Sequence, residues 1–252
     1  MGAAGLSDQD DANGRARNSR RDPELTRSEI LEAAVHEFAA HGPNGARTED
    51  IARRTNTSKR MIFYYFESKS GLYRAVLEEN YLRIRALESA LFLDDLEPPA
   101  ALRELVRASL AHYERHPDLA RIVAMENLIM HGAVAEGIEE FKRINGSAVE
   151  TISRILERGR LSGDFATGPD APSALDVHQV LSALIFNRIE HRSTFRLAFG
   201  RDMLGDDAPH VRSLIERTVL GMVLTCPHRE NCRCLAEGSA ADPEEPARRS
   251  GA

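Results

Sequence analysis

Cysteine is nearly missing from this 252-residue chain: its three copies, Cys226, Cys232 and Cys234, all fall near the C-terminal end. No disulfide framework can staple the body of the protein, which agrees with a reducing compartment. Long apolar runs are missing too. Stretches such as Ala183 to Phe186 fall far short of the ~18 residues that span a bilayer. The opening MGAAGLSDQDDANGRARNSRRD has no apolar core ahead of a cleavage site, as a secretory signal would have. These absences predict a soluble, cytoplasmic protein with no membrane partner.

Period-two alternation is absent over any useful length, as is self-similarity at a period of about 20–50 residues, so neither a sheet protein nor a solenoid is expected. The nine histidines are scattered, with no HExxH pair, nucleophile motif or phosphate loop. Catalysis is therefore not expected, nor is a cofactor or a metal in the body of the chain.

What is present is ample apolar material, 42% of residues, with 29% charged, enough to bury a substantial core. The net charge of −6 conceals an uneven distribution. From His41 to Arg74 there are seven Lys/Arg and three Asp/Glu, whereas from Ala75 onward there are 21 basic and 28 acidic residues. A small basic module on an acidic body suits a protein of which only one face meets phosphates.

Almost every segment between residues 25 and 225 carries the 3.6-residue period, which predicts an all-α fold of about nine helices. Starts are marked by Thr26, Pro98, Pro117, Ser173 and Pro209, and stops by Gly42, Gly132 and the Gly163 to Pro172 loop. The expected organisation is a polar tail (1–24), a small three-helix domain (25–72), a larger helical domain (73–225) and a C-terminal tail (226–252). Both tails lack the apolar periodicity that offsets the entropy of ordering.

The informative segment runs from about Arg47 to Phe66. Before it, Thr26 and Glu29 form a potential capping box, and Ile30, Ala34 and Phe38 line one helical face. Thr48 can cap a second helix whose first turn carries Glu49 and Asp50. Ile51, Ala52 and Thr55 would pack inward, and Asn56 suits a left-handed turn. Ser58 or Thr57 then caps a short third helix with Ile62 and Phe66 inward. Two short helices joined by a tight turn make a helix-turn-helix, whose second helix enters the major groove. Lys59, Arg60 and Met61 would read bases, since arginine bonds guanine O6 and N7 together. Thr48, Tyr64, Tyr65 and Lys69 would grip the backbone, and Arg47, Thr57 and Ser58 complete the candidate DNA-binding set. Backbone N–H groups from Ser68 to Gly71 offer a further phosphate contact. The bland alternative is a three-helix support with a solvated basic face.

The stretch TRSEILEAAVHEFAAHGPNGARTEDIARRTNTSKRMIFYYFESKSGLYRAV resembles the N-terminal domain of the TetR family of transcriptional repressors. Ile30, Ala33, Ala34, Phe38, Gly42, Thr48, Ile51, Ala52, Ser58, Tyr65, Phe66, Lys69 and Leu72 stand at the family's spacing. The turn, usually Ala-Gly-Val, reads Thr55-Asn56-Thr57 here, and Phe63 stands where the family often has tyrosine. Farther on, YYFESKSGLYRAVLEENYLRIRALE and HPDLARIVAMENLIMHG are similar to the pyrimidine-utilisation type of TetR repressor.

The resemblance implies a homodimer whose last two long helices form a four-helix bundle, a palindromic double-stranded operator and release by a small-molecule effector. Val177, Val180, Leu181, Leu184, Ile185 and Ile189 form one apolar stripe, and Val211, Leu214, Ile215, Thr218, Val219 and Met222 another. The bland alternative is that both face only the chain's own core. Polar groups among apolar ones nominate Met125, Glu126, Asn127, Met130, His131, Phe186, Asn187 and His191 for an effector pocket, with surface positions as the alternative.

CPHRENCRC, from Cys226 to Cys234, offers three thiols and His228, but at unusual spacing and without a second CxxC, so an inert terminus is the simpler expectation. Arg15, Arg17, Arg20 and Arg21 form either a minor-groove arm or a solvated linker. Two other functional classes compete with the DNA-binding repressor: an all-α enzyme and a protein-interaction module whose basic region meets an acidic partner.

Overall fold

The computed structural model describes residues 22–55, 57–136, 138 and 141–225. The arginine-bearing tail, Asn56 and the Cys226 to Cys234 segment lie outside the described residues. Eleven α-helices occur among those residues: α1 (Pro23–Gly45), α2 (Thr48–Arg54), α3 (Lys59–Phe66), α4 (Lys69–Ser89), α5 (Pro98–Arg115), α6 (Pro117–Leu128), α7 (Ala133–Glu136), α8 (Phe141–Ser162), α9 (Ala174–Glu190), α10 (Arg192–Phe199) and α11 (Ala208–Val223). The described residues hold no strand, only an isolated bridge between Phe165 and Leu224. The all-α fold is as expected. The count exceeds nine because short pieces such as the four-residue α7 and eight-residue α10 leave little periodic signal.

Punctuation residues act where the sequence places them, with two corrections. Pro98 and Pro117 open α5 and α6, where a missing N–H costs nothing. Ser173 and Asp176 form a reciprocal capping box on α9. Thr26, however, does not cap α1. Asp22 does so by accepting the Glu24 N–H at 3.0 Å, with Pro23 next in the chain, so the helix begins a turn earlier and Thr26 is buried inside it. Thr48 is likewise the first residue of α2 and not its cap; Arg47 precedes it with no side-chain capping bond. Gly42 breaks the regular path of α1 at φ 70°, a conformation glycine adopts without penalty.

The chain divides into two compact units, one up to Val76 and one from Leu77. In the first, Ile30, Ala34, Phe38, Ile51, Ile62, Phe66, Leu72 and Tyr73 are buried. The Phe38 and Tyr73 rings meet edge to face at 5.0 Å, a geometry favoured by the ring quadrupole. The turn after α3 is tight: Glu67 sits at φ 64°, and Ser68 Oγ accepts the Gly71 N–H at 2.9 Å to start α4. The Gly71 amide is therefore engaged within the chain and is no ready phosphate donor.

The second unit is built on one core. Leu102, Leu105, Val106 and Leu110 of α5 meet Ile152, Ile155 and Leu156 of α8, Val177, Leu181 and Ile185 of α9 and Val219, Leu220 and Val223 of α11. These positions recur at three- and four-residue steps, so each helix buries one stripe. Each fully buried aliphatic side chain contributes roughly 1.5–3 kcal/mol. At one edge of the core, Glu114 of α5 takes Arg212 of α11 at 2.8 and 2.9 Å and pairs with the buried Arg188 of α9. Burial opposes the charged form of Glu114, but the bonds from Arg212 and Arg188 outweigh it and hold its carboxyl below the usual range.

Candidate functional site

The first candidate site is the α2–α3 pair. Ser58 Oγ accepts the Met61 N–H at 3.2 Å, satisfying a donor that the start of α3 leaves open. Thr55 Oγ1 donates to the Ile51 carbonyl at 3.1 Å, and Thr57 N–H reaches the Ala52 carbonyl at 3.3 Å, so the turn is closed by bonds flanking Asn56. Ile51, Ala52, Ile62 and Phe66 are buried, which fixes the rotation of α3 about its axis. With that side inward, Lys59, Arg60 and Tyr64 are exposed, Tyr64 by 75%. Met61, Phe63 and Tyr65 are half-buried. An eight-residue helix presenting this mix is suited to the major groove.

The nominated residues differ in how occupied they are. Lys59 Nζ lies 2.5 Å from Glu49 Oε1 and 5.7 Å from the Phe63 ring centre; this bond is the main reason the exposed Glu49 carboxyl titrates below its ordinary value. Lys69 Nζ donates to the carbonyls of Asn44 and Ala46 at 3.0 and 3.3 Å, clamping the end of α1 to the start of α4. Thr48 is buried, Thr57 is half-buried, and Arg47 and Ser58 are exposed. Tyr64 and Tyr65 pack edge to face at 5.3 Å.

Sequence reasoning missed Glu37. It is 2% exposed, and its Oε1 accepts the Arg47 N–H at 3.3 Å while lying 3.1 Å from His41 Nδ1. Its Oε2 is 3.9 Å from Arg54. One buried carboxylate thus ties α1 to both ends of α2. The signal was present: Ile30, Ala34 and Glu37 follow one another at steps of four and three, placing an acid in the apolar stripe of α1.

The second candidate site lies in the unit from Leu77. Of the residues nominated for a pocket, Glu126 is buried, and Met125, Met130 and Phe186 are half-buried, whereas Asn127, His131, Asn187 and His191 are exposed. Asn127 donates to its own helix, at the Val123 carbonyl, and Asn187 pairs with His191 at 3.3 Å. Glu126 Oε1 accepts the N–H groups of Val134 and Ala135 at 2.8 and 3.0 Å and so caps α7.

Around Glu126 and Phe186 the fold gathers groups that were not nominated. Tyr81, Arg85 and Glu88 sit at steps of four and three on α4; His112 and Tyr113 lie on α5, His116 at the junction of α5 and α6, and His178 on α9. Tyr113 meets Phe186 at 5.2 Å and His112 at 5.1 Å, both edge to face. Burial pushes the Tyr81 hydroxyl up to about 12, with the Glu126 charge adding to it. Burial lowers His112 to about 4, assisted by His116, Arg115, Arg83 and Arg85. It also lowers His178 and raises Glu88 against the opposing pull of Arg85. His112 and His178 held neutral, the protonated Tyr81 phenol and the Arg85 guanidinium form a polar set in the same unit as the Tyr113 and Phe186 rings, the kind of chemistry a small-ligand site uses. The charged residues of YLRIRALE hid this in the sequence, because alternating charge on a helix usually marks a solvated face.

Comparison with known proteins supplies the family. Residues 30–76 match the model of bacterial regulatory proteins of the tetR family, and residues 98–223 match that of the tetracyclin repressor-like C-terminal domain. The chain is 40% identical over 140 residues to the HTH-type transcriptional repressor NicS of Pseudomonas putida, a match covering 56% of this chain and 66% of that protein. It is 38% identical over 99 residues to the HTH-type transcriptional regulator RutR of Escherichia coli, covering 39% and 46%. These matched segments thus span about half to two thirds of the relatives' length. The crystal structure of a bacterial regulatory protein in the tetR family from Rhodococcus shares the fold at a TM-score of 0.61 and 21% identity, over 80% of this chain and 98% of that one. With a family model matching each of its two units and the helix-turn-helix geometry in place, the chain belongs to the TetR family of bacterial regulatory proteins.

Proposed function

We propose that this protein is a sequence-specific DNA-binding repressor that acts as a homodimer on a palindromic operator and is released by a small-molecule effector. The observation carrying this reading is the Ser58-capped α3, locked by Ile62 and Phe66 so that Lys59, Arg60 and Tyr64 face outward. Arg60 and Met61 read bases, with Lys59 joining once it exchanges Glu49 for DNA. Arg47, Thr48, Thr57, Ser58, Tyr64, Tyr65 and Lys69 set position on the backbone. Residues 25–72 form the DNA-binding domain and 73–225 the effector and dimer domain, in the cytoplasm. No helix among the described residues is long and apolar enough to cross a membrane.

The dimer face belongs to the outer sides of α9 and α11. Val177, Leu181, Ile185, Ile189, Ile215 and Val219 serve the chain's own core, while Leu175 and Leu214 remain exposed. A two-fold dimer sets its recognition helices about one DNA turn, or a multiple, apart. Gel-shift titration tests this reading: a full palindrome should bind cooperatively with two protomers, and equal affinity for a single half-site would overturn the dimer. An effector releases DNA only through its preference for the conformation with wrongly spaced heads.

A further inference from the structure

The guanidinium of Arg85 has the surroundings of an anchor. Its Nη1 pairs with Glu88 Oε2 at 2.9 Å, while its buried Nε has no hydrogen-bond acceptor among the described residues. His112, 7% exposed, has its Nε2 in the same condition. Buried polar atoms of this kind are rare and costly, because each forfeits its hydration. The Arg85 charge acts on Tyr81 of its own helix, on His112 and Tyr113 of α5 and on His178 of α9. Those groups are spread over three helices, α4, α5 and α9. Beside it, the Tyr113 ring stands edge-on to Phe186 and to His112.

We propose that Arg85 binds the carboxylate of a planar aromatic acid, with His112 donating a second hydrogen bond and Tyr113 and Phe186 walling the ring. This rests on the effector site in the reading above and assigns its ligand class. A carboxylate offers two coplanar acceptors, and the guanidinium fork presents parallel N–H donors to match them. Glu88 is then the resident carboxylate on Nη1, and an entering carboxylate accepts from the open Nε and competes with Glu88 for the fork. Aromatic walls favour a flat ring, which can meet them edge-on or offset-stacked, over an aliphatic chain.

Calorimetric titration and thermal melts of the full chain test this, with benzoate and 2-naphthoate as probes and benzamide and 2-naphthamide as their uncharged counterparts. At least one carboxylate should bind and raise the Tm, at least tenfold more tightly than its amide. Arg85→Gln should abolish that preference, and Glu88→Gln, which removes the competing charge, should tighten carboxylate binding severalfold even if Arg85→Gln fails to fold. Amides binding as well as acids, no binding by any probe, or carboxylate binding weakened by Glu88→Gln would overturn the proposal. Operator binding by the same samples separates the two readings. Carboxylate binding without any DNA binding refutes the repressor, whereas DNA binding with inert carboxylates refutes only the ligand class.

Discussion

Gly71 shows how closely α3 is tied to the helix behind it. A Cβ at this position would lie 2.2 Å from the Phe66 carbonyl oxygen, a backbone atom that cannot swing aside. Gly71→Ala should therefore cost roughly 1–3 kcal/mol by overpacking, seen as a lower urea midpoint; an unchanged midpoint would show that α3 is not held by this contact. Glu37 acts at the other end of the module. Glu37→Leu leaves the Arg47 N–H without its acceptor and removes the carboxylate beside Arg54, an expected loss of about 1–3 kcal/mol. Because α2 then loses its fixed attachment to α1, operator affinity should fall while the variant remains folded by circular dichroism. Full retention of affinity would reduce Glu37 to a bystander.

At the scale of the helix, Ser58 is the test of local logic. Ser58→Ala removes the cap on α3 and should cost about 1 kcal/mol, with a matching loss of operator binding because the helix that frays is the one that reads DNA. The elements themselves were largely legible. Pro98, Pro117 and the Ser173 and Asp176 box mark their helices by mechanisms local to a few residues, and the stripe Ile62 and Phe66 sets the inward side of α3 without tertiary information. Thr26 misled because a capping box also fits a residue inside a helix; only the Asp22 side chain, one turn earlier, shows which cap is used. The effector region was less legible for a different reason. Glu126 and Phe186 stood out as polar and aromatic residues in α6 and α9, but Arg85 and His112 derive their character from burial among other helices, which no local window contains.

At the scale of the whole molecule, the buried histidines make stability depend on pH. His112 is lowered in the folded protein from its ordinary 6.5 to about 4 by burial and nearby positive charge, and His178 is lowered in the same sense. Between those values the unfolded chain binds protons that the folded chain does not, so stability is intact above about 6.5 and falls as pH drops toward 4. Urea midpoints from pH 7.5 to 4.5 should decline less steeply in His112→Gln than in the parent, and parallel curves would show that this histidine is not kept neutral. Dimerisation is tested by Leu214→Glu, which places a charge on the exposed side of α11 and should shift the chain to monomers in sedimentation while leaving the α5, α8 and α9 core folded.

The central claim, that α3 reads a DNA sequence, is tested most directly by fluorescence anisotropy at fixed salt. Operator duplexes selected from a random pool would be compared with scrambled ones, for the parent chain and Arg60→Ala. The account predicts that the parent prefers its operator by about a thousandfold or more and that Arg60→Ala loses roughly 1–3 kcal/mol on the operator, with a much smaller change on scrambled duplex. Equal affinity of the parent for both duplexes, or an Arg60→Ala variant that discriminates as well as the parent, would contradict it.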